Sequence, residues 1–268
     1  MTPDGRPSDG RPAGWSMEAK ERFLAVASPL AMLLLWQILS WMKVLDSRFI
    51  PSPITIFEGG VALIRTGELW THLGASLWRL AWGFLLGTIP GIALGLLMGL
   101  SRYARAALDP IVAATYPIPK IAILPLIMLY FGLGETSKIV IIAIAVVYLV
   151  LINTMVGVMS IDRIYFDVAK TFNAPRLKLF TRVIIPGALP LIFAGLRLSL
   201  GVSLIVIVSA EFVAAKSGIG YLIWTSWETL VIENMFVGII VITVLGVVST
   251  FLLKELERVL IPWKEERN

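Results

Sequence analysis

Six runs of about 18 or more mostly apolar residues divide the chain, and a run of that length crosses a hydrocarbon core of about 30 Å as a helix. They cover approximately residues 23–42, 77–100, 106–131, 139–159, 188–208 and 235–253. Bilayer interiors offer no water to satisfy backbone N–H and C=O groups, so runs of this kind must be helical. The composition excludes a soluble domain: 57% of the 268 residues are hydrophobic, only 15% are charged, and the mean hydropathy is +0.85. The expected fold is an all-α membrane protein with about six transmembrane helices.

Orientation follows from where Lys and Arg fall between the runs. With the N-terminus inside, the inner segments hold fifteen basic residues, while the outer ones hold five: Lys43, Arg48, Arg65, Lys138 and Lys216. Both termini are therefore expected to be cytoplasmic. Residues 1–18 are rich in Pro, Gly and charge and have no apolar run followed by a cleavage site. They read as a disordered cytoplasmic tail or as a cloning remnant, not as a secretory signal. The membrane domain would span 19–260, with a second short tail at 261–268. There is no cysteine, hence no disulfide framework or thiolate metal site. A net charge of +5 placed at membrane surfaces gives no reason to expect nucleic acid.

The least apolar interior stretch, residues 160–187, carries Asp162 and Asp167 against five bases. Ile164, Val168 and Phe172, then Leu177, Phe180 and Ile184, recur at near-helical spacing, with the basic residues mainly on other faces. Asn173-Ala174-Pro175 breaks the pattern, because proline keeps the residue before it out of the helical region and is tolerated at a helix start. Pro186 and Pro190 are expected to separate the second short helix from the next span. A basic amphipathic helix–turn–helix of this kind either rests on anionic headgroups or docks on a partner.

The spacing within it distinguishes the two. Asp167-Val168-Ala169, Asn173 four residues later, and Val183-Ile184-Ile185-Pro186 resemble the cytoplasmic loop signature of ABC importer permeases, with Asp167 for the usual Glu and Asn173 for the usual Gly. Asn adopts positive φ more readily than other non-glycine residues, so the turn is expected to survive. "FIPSP" (49–53), "HLGASLWRLAWGFLLG" (72–87), "YPIPKIAILPLIMLYFGLGETSK" (116–138), "INTMVGV" (152–158), "LPLIFAGLRLSLG" (189–201) and "AEFVAAKSGIGYLI" (210–223) resemble the nitrate, sulfonate, taurine and bicarbonate branch of that family. The resemblance implies a type I ABC importer permease fold in a bacterial cytoplasmic (inner) membrane. It implies docking of a separate ATPase, present in two copies and holding the ATP and Mg, on Asp167, Ala169, Asn173, Ala174, Pro175, Arg176, Phe180 and Pro186. It also implies a second permease copy, in a homodimer, and delivery of the cargo by a periplasmic or lipid-anchored solute-binding protein.

Within the membrane domain, Gly83, Gly87, Gly91, Gly95 and Gly99 recur every four residues and form one slowly winding face suited to close helix packing. The helix that meets it, in this chain or a second copy, is not specified. The third run holds four prolines and Lys120, which is tolerated only against protein or a watery cavity. Tyr116 and Lys120 are thus pathway-lining candidates, joined by Arg197, Ser199, Ser203 and Glu211 around the fifth run. Alternatively the serines bond back to their own helix and Arg197 snorkels to the interface. Residues 216–230 are read as part of an outer gate or as interfacial Trp anchors.

No phosphate-binding loop GxxxxGK[ST] occurs, and His72, the only histidine, is expected in a loop or at an interface. No catalytic residue, metal ligand or cofactor held by this chain is therefore expected. An ion-driven transporter is the competing class, and it would call for acids at mid-membrane. The solute expected from Lys120 and the branch is a small anion such as a sulfonate, taurine, nitrate or bicarbonate; a pyrimidine precursor or riboflavin is the alternative.

Overall fold

A computed structural model describes residues 17–263. The two expected tails lie largely outside the described residues, although Met17 and Glu18 already belong to the first helix. Among the described residues every regular element is helical. The chain divides into two compact units with the boundary between Glu58 and Gly59. The first contains α1 (Met17–Trp41) and the opening of α2 (Pro53–Thr66), where Gln37 Oε1 accepts from the Ile54 N–H at 3.3 Å.

The second unit is built on three helices. α3 (Glu68–Leu100) starts after Gly67, whose φ of 81° ends α2. It begins nine residues before the run expected at 77, because Glu68, His72 and Ser76 depress local hydropathy there, although His72 and Ser76 are buried. α6 (Glu135–Met159) occupies the centre, with Ile141, Ile142, Val146 and Val150 fully buried. α9 (Ile185–Ala214) covers its other side.

The five glycines of α3 lie on α6. Gly83 meets Ile142, Gly87 Val146, Gly91 Val150, Gly95 Thr154 and Gly99 Val158, both numberings rising together, so the two helices run parallel. A Cβ on Gly87 would stand 2.6 Å from the Ala143 carbonyl oxygen, and one on Gly95 would stand 2.6 Å from that of Leu151. β-branched residues on α6 thus fill a groove that exists only because α3 has no side chains there. Gly157 and Gly195 repeat the device between α6 and α9, against Ala188 and Asn153.

The third expected run is not a straight span. α4 (Arg102–Thr115), capped by Ser101 Oγ accepting from the Ala104 N–H at 3.2 Å, is followed by a 3-10 turn (Lys120–Ile123) and α5 (Leu124–Phe131). The two halves meet at 86°, since Pro117 and Pro119 remove donors and hold their predecessors out of the helical region. Among the described residues five helices are long and apolar enough to cross a membrane, or six if the bent pair counts as one.

α7 (Arg163–Thr171) and α8 (Arg176–Leu179) form the expected helix–turn–helix. The break expected at Pro186 and Pro190 is absent. A π turn, Phe180–Ile184, joins α8 to α9, and residues 176–213 run as one helix. The wide turn, closed by the Ile185 N–H donating to the Phe180 carbonyl, displaces the backbone with which the Pro186 ring would collide. α10 (Ile219–Glu228) and α11 (Ile232–Leu260) complete the unit, α11 packing on α9 and α10.

Candidate functional site

Residues 162–186 owe their shape to two caps. Asp162 Oδ1 accepts from the Ile164 N–H at 3.0 Å and starts α7. At the other end Asn173 has φ 46°, the Ala174 N–H donates to the Ala169 carbonyl at 2.9 Å, and the Asn173 N–H donates to that of Lys170 at 3.0 Å. This is the Schellman pattern, with asparagine in the position glycine usually takes. The apolar positions divide between two environments. Phe166, Leu179 and Phe180 pack on the core and Ile184 is buried, whereas Ile164, Val168, Phe172 and Leu177 are exposed, Phe172 to 80%. Asp167, Asn173, Pro175 and Arg176 are exposed beside this ridge; Ala169, Ala174 and Pro186 are half-buried.

The pathway candidates fall in separate places. Lys120 Nζ donates to the carbonyls of Thr115 and Tyr116 at 3.0 and 2.9 Å, and lies 4.3 Å from the Tyr148 ring centroid and 5.9 Å from that of Tyr116. The ammonium thereby caps the negative end of α4 at the bend. Arg197 pairs with Glu257 of α11. Ser199 and Ser203 are fully buried and donate to the Leu196 and Leu200 carbonyls of their own helix, at 2.9 and 2.7 Å.

Glu211 belongs to a buried network that the sequence reading did not assemble. Its carboxylate accepts from Arg79 Nη1 at 2.7 Å, from Ser76 Oγ at 2.8 Å and from the Gly220 N–H at 2.8 Å. Arg79 also holds the Glu135 carboxylate in a two-pronged pair and donates to the Ser217 carbonyl at 2.6 Å and to Ser217 Oγ at 3.2 Å. Its five N–H groups are all used. His72 is not in a loop: it is buried within α3, and Nδ1 accepts from the Gly218 N–H at 3.1 Å. The glycines of "SGIG" make room for the carboxylate, since a Cβ on Gly218 would stand 2.3 Å from Glu211 Cδ. The available signal was positional: His72, Ser76 and Arg79 continue the three-and-four spacing of the glycine face.

Comparison with known proteins decides the family. Residues 91–262 match the family described as "Binding-protein-dependent transport system inner membrane component". The chain belongs to it. This transport-family chain is 36% identical to the putative aliphatic sulfonates transport permease protein SsuC of Bacillus subtilis (strain 168), over 88% of its own length and 86% of the relative's. It is 34% identical to the taurine transport system permease protein TauC of Escherichia coli (strain K12), over 91% and 90%. A solved chain from an amino acid ABC transporter shares the fold, with a TM-score of 0.56 at 19% identity, covering 76% of this chain and 98% of that one. The branch read from the sequence is the one these relatives occupy. Its members are transport permeases, not enzymes, and the chain is a multi-pass membrane protein of that kind.

Proposed function

We propose that this chain is the transmembrane subunit of an ATP-driven importer in a bacterial cytoplasmic membrane, with both termini cytoplasmic. Two copies form the pathway. Two separate ATPase subunits, which carry the ATP and Mg, dock on residues 162–186, and a periplasmic or lipid-anchored binding protein delivers the solute. The observation that carries this reading is the exposed ridge Ile164–Val168–Phe172, presented by a capped helix in a chain of binding-protein-dependent transport. An unpartnered apolar ridge flanked by charge is suited to a protein cleft.

Closure of the ATPases on ATP displaces α7 and α8. Because α8 continues through the π turn into α9 without a break, displacement passes into a membrane helix 38 residues long, about 57 Å at 1.5 Å per residue. The solute is a small anion, and a sulfonate is favoured because the two similar permeases are named for aliphatic sulfonates and taurine. An ion-driven carrier needs an acid free to load, whereas Glu211 is engaged by Arg79, Ser76 and Gly220.

The test is co-expression and co-purification with candidate ATP-binding cassette ATPase subunits from the same organism, using wild type and Phe172→Asp. The wild type is expected to retain one such ATPase and hydrolyse ATP. The variant is expected to stay monodisperse with an unchanged unfolding midpoint and to lose that ATPase. Retention by the variant, or none by the wild type, overturns the proposal.

A further inference from the structure

α10 does not cap itself. Its N-cap is Gly218, with φ 123° and no side chain, yet the first N–H groups of a helix need acceptors, and at a buried end water does not supply them. Three acceptors come from other helices: the Gly218 N–H donates to His72 Nδ1 at 3.1 Å, that of Ile219 to Ser76 Oγ at 2.8 Å, and that of Gly220 to Glu211 Oε2 at 2.8 Å. His72 and Ser76 stand on α3, and Glu211 on α9. Arg79, also on α3, compensates the buried Glu211 and grips the connection into α10 at Ser217. Its other arm is Glu135, at the start of α6, whose side chain is 52% exposed.

We infer that Arg79 is the positioning residue of α10, and that α10 is carried rigidly by the α3–α6–α9 block instead of swinging as a lid. The pieces of that block are already fixed to one another. α3 meets α6 along five glycines, and α6 meets α9 at Gly157 and Gly195. Swinging α10 away would strip three backbone donors of their acceptors and leave Arg79 and Glu211 with broken contacts in a buried site, an arrangement proteins avoid. The permease reading enters only in treating α10 as a wall of the solute's route. Any opening on that side is then a displacement of whole blocks or of the bent α4–α5 segment.

The chain has no cysteine, so pairs of introduced cysteines can carry spin labels. Trp78→Cys on α3 and Trp227→Cys on α10, both exposed, report the distance between the helices; Trp78→Cys with Val156→Cys on α6 is the reference. Measured on the chain alone in lipid nanodiscs, with the doubly labelled chain diluted into an excess of unlabelled cysteine-free chain so that only pairs within one copy are read, the 78/227 pair is expected to give one narrow distance. Glu135→Gln, which weakens two of the five Arg79 bonds, is expected to broaden it, Glu135→Asp to restore it, and Arg79→Gln to broaden it further, with the 78/156 distance unchanged. Raising salt from about 0.1 to about 1 M shortens the screening length from about 10 to about 3 Å, and is expected to act like Glu135→Gln. Two or more distances in the wild type would show α10 swinging. A narrow 78/227 distance in Arg79→Gln would remove Arg79 from the role, and where that variant does not fold, an unchanged distance in Glu135→Gln does so. No ATPase or solute is present, so failure here leaves the importer proposal standing, and failure of ATPase docking leaves this result standing.

Discussion

Gly87→Ala tests the packing of α3 on α6. The added Cβ would lie 2.6 Å from the Ala143 carbonyl oxygen and 2.7 Å from Val146 Cβ, where about 3.5 Å is the closest comfortable approach. One obstacle is backbone, so no rotamer change relieves it, and the helices must part by about 0.8 Å. A gap of that size forfeits a quarter to a half of each contact's attraction; over on the order of 50 atom pairs at about 0.15 kcal/mol each, the loss is about 2–4 kcal/mol. Gly74→Ala on the same helix is the control, since its Cβ would meet nothing within 4 Å. Both changes gain the same helix propensity, about 1 kcal/mol, which cancels in the comparison. Unfolding in detergent, followed by tryptophan fluorescence, is expected to show Gly87→Ala melting roughly 4–16 °C below Gly74→Ala, at about 2–4 °C per kcal/mol. If Gly87→Ala melts at or above the control, the two helices do not approach this closely.

Thr154 Oγ1 is buried at the same interface with no hydrogen-bond partner. Thr154→Val keeps the shape and removes the unsatisfied hydroxyl, so stability measured by the same melt is expected to rise by about 1 kcal/mol; a fall would show that the hydroxyl is used. Asn173→Gly is expected to leave the α7 turn intact. Asn173→Val, forced to φ near 46°, is expected to raise hydrogen exchange at the Ala174 amide about tenfold, equivalent to about 1.4 kcal/mol. Lys120→Met strips two carbonyls at the α4–α5 bend of their cationic donor, and is expected to lower stability by about 1–3 kcal/mol; an unchanged melt would mean the ammonium does not hold the bend.

The helical spans and the loop at 160–187 were legible because each rests on local chemistry: apolar length for the spans, and a break at Asn173-Ala174-Pro175 for the loop. The third run and the α8–α9 junction were not, and for opposite reasons involving proline. Pro117 and Pro119 act in a stretch whose summed hydropathy still reads as one span, so composition conceals a bend of 86°. Pro186 reads as a break, but its effect is absorbed by a π turn beginning six residues earlier, which no proline rule anticipates.

The buried network shows a different limit. Glu211, Arg79 and Glu135 stand 56 to 132 positions apart, and each alone reads as a charge poorly suited to lipid. Their compatibility with the fold is collective: the guanidinium satisfies both carboxylates, one carboxylate satisfies an amide of α10, and the glycines beside that amide admit it. Pattern on a single helix nevertheless points there. His72, Ser76 and Arg79 lie on the face of α3 that continues as Gly83 to Gly99, so the same face that admits α6 closely also carries the groups that hold α10. Close packing excludes water from that face, and exclusion of water makes unpaired polar groups costly. The glycine face and the polar cluster therefore depend on one another: loosening α3 from α6 would hydrate Arg79 and weaken its grip on Ser217, so Gly83→Ala, one turn from Arg79, is expected to broaden the α3–α10 distance as well as lower the melting temperature. A lowered melt with an unchanged α3–α10 distance would separate the two and refute that dependence.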